Sequence, residues 1–259
     1  MLLEGKSVVI TGAGSGVGRA SALAFAAEGG RIVVADVQAD WAKETVRMVE
    51  ANGGTAVPVT CNVTKEADVK AAVDAAVSTY GRLDVMFNNA GVATPRPGLK
   101  FEDHTDEDYD RLMDINLRGV FYGMKHAVIT FKQQGGGGVI VNTGSAAGLV
   151  GWGGTVYGAT KGGVIQMTRG VAVEVAGDGI RVNCICPAAM PTTNFSMMGR
   201  SKPFEDVPDQ ALQAAGSMHP LGQIITPEDC AAAALFLASD QARNITGVAL
   251  PVDGGYVAR

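Results

Sequence analysis

Tyr157 and Lys161 stand four residues apart in Tyr157-Gly158-Ala159-Thr160-Lys161, and Ser145 lies upstream in Asn142-Thr143-Gly144-Ser145. On a helix, residues at i and i+4 share a face, so this spacing sets an ammonium beside a phenol. A free phenol ionises near pH 10, and a neighbouring positive charge favours phenolate, which brings the group toward the range where acid/base catalysis is efficient. A serine hydroxyl nearby could hold a substrate oxygen. A Tyr-x-x-x-Lys pair alone is also what a solvated helix face carries, so the rest of the chain has to decide.

Residues 7–18 read Ser-Val-Val-Ile-Thr-Gly-Ala-Gly-Ser-Gly-Val-Gly, followed by Arg19-Ala20-Ser21-Ala22-Leu23-Ala24-Phe25-Ala26-Ala27-Glu28. A β-branched run, a glycine turn and a helix start, in that order, make a phosphate site: unpaired N–H groups and the positive helix end face the anion. Gly12, Ser15, Gly16, Val17 and Gly18 would cradle a pyrophosphate. The next apolar run, Arg31-Ile-Val-Val-Ala-Asp36, ends in an acid near the distance expected for a ribose-binding carboxylate. Asp36 would accept from the ribose diol and repel a 2′-phosphate, and Ser15 adds no cation, so the expected cofactor is NAD rather than NADP.

With these motifs in hand, the chain resembles the short-chain dehydrogenase/reductase (SDR) family essentially from end to end. Thr11-Gly-Ala-Gly-Ser-Gly-Val-Gly18 matches its cofactor motif and Asn88-Asn89-Ala90-Gly91 its Asn-Asn-Ala-Gly element. Asn116, Ser145, Tyr157 and Lys161 match its catalytic tetrad, while Pro227-Glu228-Asp229 and Asp253-Gly254-Gly255 match further landmarks. The resemblance implies that Tyr157 takes the hydroxyl proton of an alcohol whose carbon gives hydride to nicotinamide. Lys161 would hold the phenolate and the nicotinamide ribose, Ser145 the substrate oxygen, and Asn116 a water that carries the proton away. Carbonyl reduction is the same path reversed.

The elements that must position these groups alternate. Short apolar runs near 7–11, 31–36, 56–60, 83–87, 138–142, 180–185 and 248–252 read as strands. Helical segments are expected near 17–28, 40–52, 66–80, 106–132, 156–176 and 227–238. This is the pattern of an α/β, Rossmann-type, doubly wound parallel sheet of about seven strands with helices on both faces. Residues 1–259 are expected to form one domain, with a substrate lid over about 188–220. Gly12, Asp36, Asn62, Asn89 and Ser145 then fall at the carboxyl ends of strands, where such sheets bind ligands. The glycine run 135–138 reads as a flexible turn into the fifth strand.

By resemblance, Asn89, Ala90 and Gly91 would line the cofactor near its adenosine ribose, Val63 would flank the adenine, and Pro187 and Thr192 would stand near the nicotinamide. Two positions depart from the family pattern. Asn62 replaces the usual aspartate, though its amide oxygen can still accept from the adenine amine. Ala188 replaces the usual glycine after Pro187, and would be strained if that position required positive φ. The lid span carries Met190, Phe195, Met197, Met198, Phe204 and Met218, and Trp152 lies between Ser145 and Tyr157. Met190, Phe195 and Trp152, with Ser145 and Tyr157, are the expected substrate contacts, suited to a hydrophobic alcohol or ketone of alicyclic, aromatic or steroid-like form. The methionines would serve equally for packing against the body.

Net charge −5 and a pI near 5.2, without a basic tract, give no footprint for nucleic acid. No eighteen-residue apolar run is present to span a membrane, and the stretch before the first strand is short for a signal peptide, so a cytoplasmic protein is expected. Cys61, Cys184, Cys186 and Cys230 lack Cys-x-x-Cys spacing, which suits reduced thiols and no metal. His104, His126 and His219 are scattered, with His219 placed to rim the substrate pocket. The resemblance also implies a homotetramer, in line with the general rule of closed symmetry. Two other readings stay open: an NADPH-dependent 3-oxoacyl carrier protein reductase, which Ser15 and Asp36 oppose, and a dinucleotide-sensing or scaffold protein without catalysis.

Overall fold

The computed structural model describes residues 1–94, 98–190 and 209–259. Seven parallel strands, β1 (Ser7–Thr11), β2 (Arg31–Asp36), β3 (Thr55–Thr60), β4 (Val85–Asn88), β5 (Gly138–Thr143), β6 (Ile180–Pro187) and β7 (Ala249–Val252), form one sheet in the order β3-β2-β1-β4-β5-β6-β7. The strand order reverses between β1 and β4, and ligands of open α/β sheets bind at such a reversal, beyond the carboxyl ends of the strands.

Alternation along the strands builds two cores. Val9, Val33, Met86, Ile140 and Val182 face one side, while Val8, Ile10, Ile32, Val34, Phe87 and Ile185 face the other. Helices α3 (Glu66–Tyr80), α5 (Gly119–Gln134) and α6 (Thr155–Val175) cover the first face through residues such as Val73, Phe131 and Ile165. Helices α1 (Gly16–Ala27), α2 (Ala39–Ala51) and α8 (Pro227–Ala238) cover the second through Phe25, Val46 and Leu237. Both faces being buried explains why the strands read as continuous apolar runs.

The segment read as one helix over 106–132 is not uniform. It consists of α4 (Asp106–Met113), a π-helical turn over Asp114–Arg118, and then α5. Thr105 and Asp108 form a reciprocal capping box at the start of α4, and Thr226 and Asp229 do the same for α8, where Pro227 sits in the first turn. Within the span read as lid, α7 (Asp209–Gly216) is an additional helix. Gly135, Gly136 and Gly137 have φ of +68°, +82° and +74°, three successive left-handed residues that turn the chain from α5 into β5.

Candidate active site

The glycine loop runs from β1 into α1. Gly12, at φ +64°, lies so close to Ala90 that a Cβ there would come within 2.8 Å of the Ala90 Cα. Ser15 precedes α1 in extended conformation without capping it through its side chain. The first N–H groups of α1, at Gly16, Val17 and Gly18, are therefore not taken by a cap and point out of the helix end, the arrangement that binds an anion. Asp36, at the end of β2, accepts from the Gly14 N–H at 2.8 Å and from the Gln38 N–H at 2.9 Å. Each carboxylate oxygen retains a lone pair for a diol.

Asn89 holds this loop from the β4 side. Its Nδ2 donates to the carbonyls of Thr11 and Gly12 at 3.1 and 3.3 Å, while the Thr11 hydroxyl accepts from the N–H groups of Asn89 and Ala90. The side chain expected beside the ribose thus clamps the glycine turn, and Thr11 belongs to the site as its anchor. Asn62, expected at the adenine, accepts through Oδ1 from the Thr64 N–H and hydroxyl at 3.1 and 2.9 Å, closing a local turn. Val63 is buried beside Gly119, where a Cβ would meet Val63 Cβ at 2.9 Å.

The expected catalytic tetrad converges at the ends of β4, β5 and β6. Asn116 lies in the π turn, fully buried. Its Oδ1 accepts from the Val92 N–H at 2.8 Å and its Nδ2 donates to the Val92 carbonyl at 2.9 Å, pinning the segment after Gly91 to the helix. A Cβ at Gly91 would lie 3.2 Å from Asn116 Oδ1 and 3.4 Å from Lys161 Nζ, so these two side chains border the same small space. Lys161 Nζ donates to the Thr143 carbonyl at 2.8 Å and stands 5.8 Å from the Tyr157 ring centroid. The Ser145 hydroxyl is 3.3 Å from the Pro187 carbonyl, accepts from the Ala147 N–H at 3.1 Å and is hydrogen-bonded to Tyr157.

Burial dominates the electrostatics. It pushes the Tyr157 phenol above its ordinary value, with the Ser145 hydrogen bond pulling the other way, and it draws the Lys161 ammonium down to about 8. Lys161, expected to bring the Tyr157 phenol toward neutrality, is itself enclosed at 2% exposure. Desolvation is the largest influence on each, and both groups are driven toward their uncharged forms.

Beneath the tetrad lie Cys184 and Cys186, whose Sγ atoms are 3.9 Å apart, with the Gly144 N–H donating to Cys184 Sγ at 3.1 Å. All four cysteines are free and buried, and no group of His, Cys, Asp or Glu among the described residues could hold a metal ion. Ala188 is unstrained, since no described non-glycine residue has positive φ, and its N–H donates to the Val252 carbonyl at 3.2 Å. Met190, expected at the substrate, packs against the core under α8 with its Sδ 3.7 Å from Cys230 Sγ. Trp152 packs on the cluster of Leu112, Ala147, Val156 and Tyr157. Thr192 and Phe195 lie outside the described residues. His104 caps backbone carbonyls at the surface and His126 meets Glu66 at 3.1 Å. A polar cleft of about 520 Å³, lined by residues including Lys6, Arg82, Asp84 and Arg243, opens at the opposite ends of the strands and contains no tetrad member. No helix among the described residues is long and apolar enough to cross a membrane.

Comparison with known proteins agrees with this geometry. Residues 12–257 match the protein family described as enoyl-(acyl carrier protein) reductase. The chain is 41% identical over 256 residues to 3beta-hydroxysteroid dehydrogenase 1 of Eggerthella lenta, covering 98% of this chain and 94% of that one. It is 38% identical over 258 residues to the 3-oxoacyl-[acyl-carrier-protein] reductase FabG of Thermotoga maritima, covering 99% and 100%. A crystal structure of a short-chain type dehydrogenase/reductase from Mycobacterium marinum superposes with a TM-score of 0.89 at 30% identity, covering 99% of this chain and 97% of that one.

Proposed function

Because the chain belongs to the short-chain dehydrogenase/reductase family of oxidoreductases, we propose that it transfers hydride between NAD and a hydrophobic secondary alcohol or its ketone. The observation that carries this reading is the joint burial of Ser145, Tyr157 and Lys161 at the strand ends beside an anion-binding helix start. Glycine-loop N–H groups and Asp36 would hold the dinucleotide, which supplies the hydride-accepting ring when bound. Ser145 fixes the substrate oxygen, Tyr157 takes or returns its proton, and Lys161 sets the charge felt by the phenol. Asn116 orders the segment behind Lys161 through its paired bonds to Val92.

NAD is favoured over NADP by the Asp36 carboxylate, held in place by Gly14 and Gln38. The steroid-dehydrogenase relative and the apolar setting of Trp152 support an alicyclic or steroid-like substrate. Exposed Phe121 and Ile129 on α5 and Val173 on α6 support pairing of these helices in a homotetramer, and we place the protein in the cytoplasm. The test is initial-rate oxidation of secondary alcohols, from cyclohexanol to hydroxysteroids, with NAD and NADP in parallel and Tyr157→Phe as control. Turnover with NAD that is lost in the variant supports the reading. Turnover with NADP alone, on 3-oxoacyl substrates, would replace it with the carrier-protein reductase reading; dinucleotide binding without turnover would favour a sensing or scaffold role.

A further inference from the structure

The turn that follows β7 comes back to Trp152, which packs on the cluster containing Tyr157. Asp253 anchors it: its carboxylate accepts from the N–H groups of Gly255 and Val257 at 2.9 and 2.8 Å, and its carbonyl accepts from the Tyr256 N–H at 3.1 Å. His219 supports it from below, with Nδ1 2.8 Å from the Asp253 carbonyl and its ring centroid 6.1 Å from that of Tyr256 in an edge-on arrangement. Because Nδ1 donates there, Nε2 of a neutral imidazole is an acceptor, and it is enclosed without a partner among the described residues. The turn delivers the Tyr256 ring to Trp152, with centroids 5.4 Å apart and planes at 56°. Arg259 covers the other side of Tyr256, 5.1 Å from the ring centroid, and donates to the Met218 carbonyl at 2.9 Å.

These contacts join the turn to the reacting groups in two ways. Trp152 packs on one side against Tyr157 and its neighbours and on another meets Tyr256, and both Trp152 and Tyr256 are only half-buried. Through the sheet, Pro187, whose carbonyl faces the Ser145 hydroxyl, pairs with Val252, the residue before Asp253. The backbone that fixes Ser145 therefore also fixes the base of the turn.

We propose that Tyr256 and Trp152 form one aromatic wall of the substrate cleft, with His219 and Asp253 as the residues that position it. The wall selects alcohols and ketones whose reacting carbon belongs to, or adjoins, a ring. Two rings meeting at an angle present a rigid, polarisable corner against which a cyclic body packs without losing rotamer freedom, whereas a flexible chain must give up rotamer freedom for the same contact. This rests on the oxidoreductase reading above and adds to it a specificity residue, Tyr256, and a preference of shape.

Two measurements test it. The first compares kcat/KM for cyclohexanol and 2-hexanol in the wild type, Tyr256→Ala, Tyr256→Phe and His219→Leu. The expected result is a cyclic-to-acyclic ratio that falls about tenfold in Tyr256→Ala, through KM rather than kcat, and is retained in Tyr256→Phe. His219→Leu should show the same fall, weakened when KM for NAD is also altered. A ratio unmoved by Tyr256→Ala, or equal losses for both alcohols, overturns the proposal.

The second needs no turnover. The chain has two tryptophans, Trp41 and Trp152, so titration of Trp152 fluorescence with cyclohexanone and a steroid ketone, with Trp152→Phe as blank, reads occupation of the wall directly. A signal present in the wild type, absent in the blank and weakened about tenfold in Tyr256→Ala supports it. Binding without turnover would keep the wall and overturn the enzymatic reading; turnover without such a signal would do the reverse.

Discussion

The carboxylate of Asp36 accepts a hydrogen bond from the backbone N–H of Gly14 at 2.8 Å, tying the end of β2 to the glycine loop. A Cβ at Gly14 would come within 2.8 Å of Asp36 Cγ and Trp41 Cβ, so the glycine is what lets the acid approach. Asp36→Asn keeps an acceptor for Gly14 while removing the negative charge. The expected outcome is an NADP-to-NAD ratio of kcat/KM raised about tenfold or more, because like-charge rejection is lost. Parallel cofactor titrations at one alcohol concentration check it. An unchanged ratio would mean that the acid orients the loop without selecting the cofactor.

Gly144 carries Ser145 over the two sulfurs, and a Cβ there would lie 2.7 Å from Cys184 Sγ and 3.0 Å from Cys186 Sγ. Gly144→Ala should lift the serine from its place, lowering kcat at least tenfold with little effect on the dissociation constant of NAD, since misplacement of a reacting group acts on the chemical step. Adding Cys184→Ala should restore part of kcat by vacating the crowded volume. Steady-state kinetics with isothermal titration of NAD separates the two effects.

The proton released by alcohol oxidation must be taken by a base, and burial draws the Lys161 ammonium, 5.8 Å from the Tyr157 ring centroid, down to about 8. kcat/KM for oxidation should therefore rise with pH through about 8, and that for ketone reduction should fall over the same interval. The profiles come from initial rates between about pH 6 and 10. A flat oxidation profile would detach the Tyr157 and Lys161 pair from proton transfer.

Cys61 and Cys230 are pushed up by burial to about 12, and Tyr157 is raised for the same reason, whereas Lys161 is lowered to about 8. Above pH 9 the folded chain keeps thiol protons that the unfolded chain gives up, so stability falls as pH rises from about 9 toward 12. Lys161 acts in the opposite sense between about 8 and 10.5, because there the unfolded chain binds the extra proton. Removing the two thiols removes their share of the alkaline loss, so thermal midpoints should drop from about pH 8.5 to about pH 10.5 by a smaller amount in the Cys61→Ala, Cys230→Ala double variant than in the wild type.

Asn116 occupies both polar groups of Val92. Asn116→Ala leaves that N–H and carbonyl without their partners, at a cost of about 1–3 kcal/mol in stability. kcat should fall with it because the segment bordering Lys161 loosens. Denaturant unfolding and alcohol oxidation measure the two consequences on the same sample.

The sheet was legible because burial on both faces writes each strand as an apolar run, and α3 and α8 fall at the expected residues, 66–80 and 227–238. That Asn116, Ser145, Tyr157 and Lys161 come together beside the glycine loop follows from strand ends that the apolar runs already marked. The π turn was not legible, since a local shift to i→i+5 bonding leaves apolar spacing nearly unchanged. The backbone bonds of Asn62 and Asn89 were not legible for a related reason: an amide serves a ligand or its own backbone equally well, and only the fold brings Thr64 and the Thr11 and Gly12 carbonyls within their reach. Ala188 was expected to test the backbone, and does not, because its φ is ordinary. His219 and Tyr256 meet only through the return of the chain after β7, a relation that spacing along the sequence does not encode.

The π turn at Asp114–Arg118 has a consequence for how the long helix could vary. A helix with one wider turn contains one residue more than a continuous α-helix of the same length requires. Deleting a single residue between Asn116 and α5 would therefore be absorbed as a regular helix, leaving α5 packed as before. The helix on either side would keep its phase, while Asn116, which lies in the wider turn, would lose the position from which it meets both polar groups of Val92. The segment is thus a place where length can change without loss of fold, the whole cost falling on Asn116 and the segment it holds, so that a shortened chain would stay folded and fall silent.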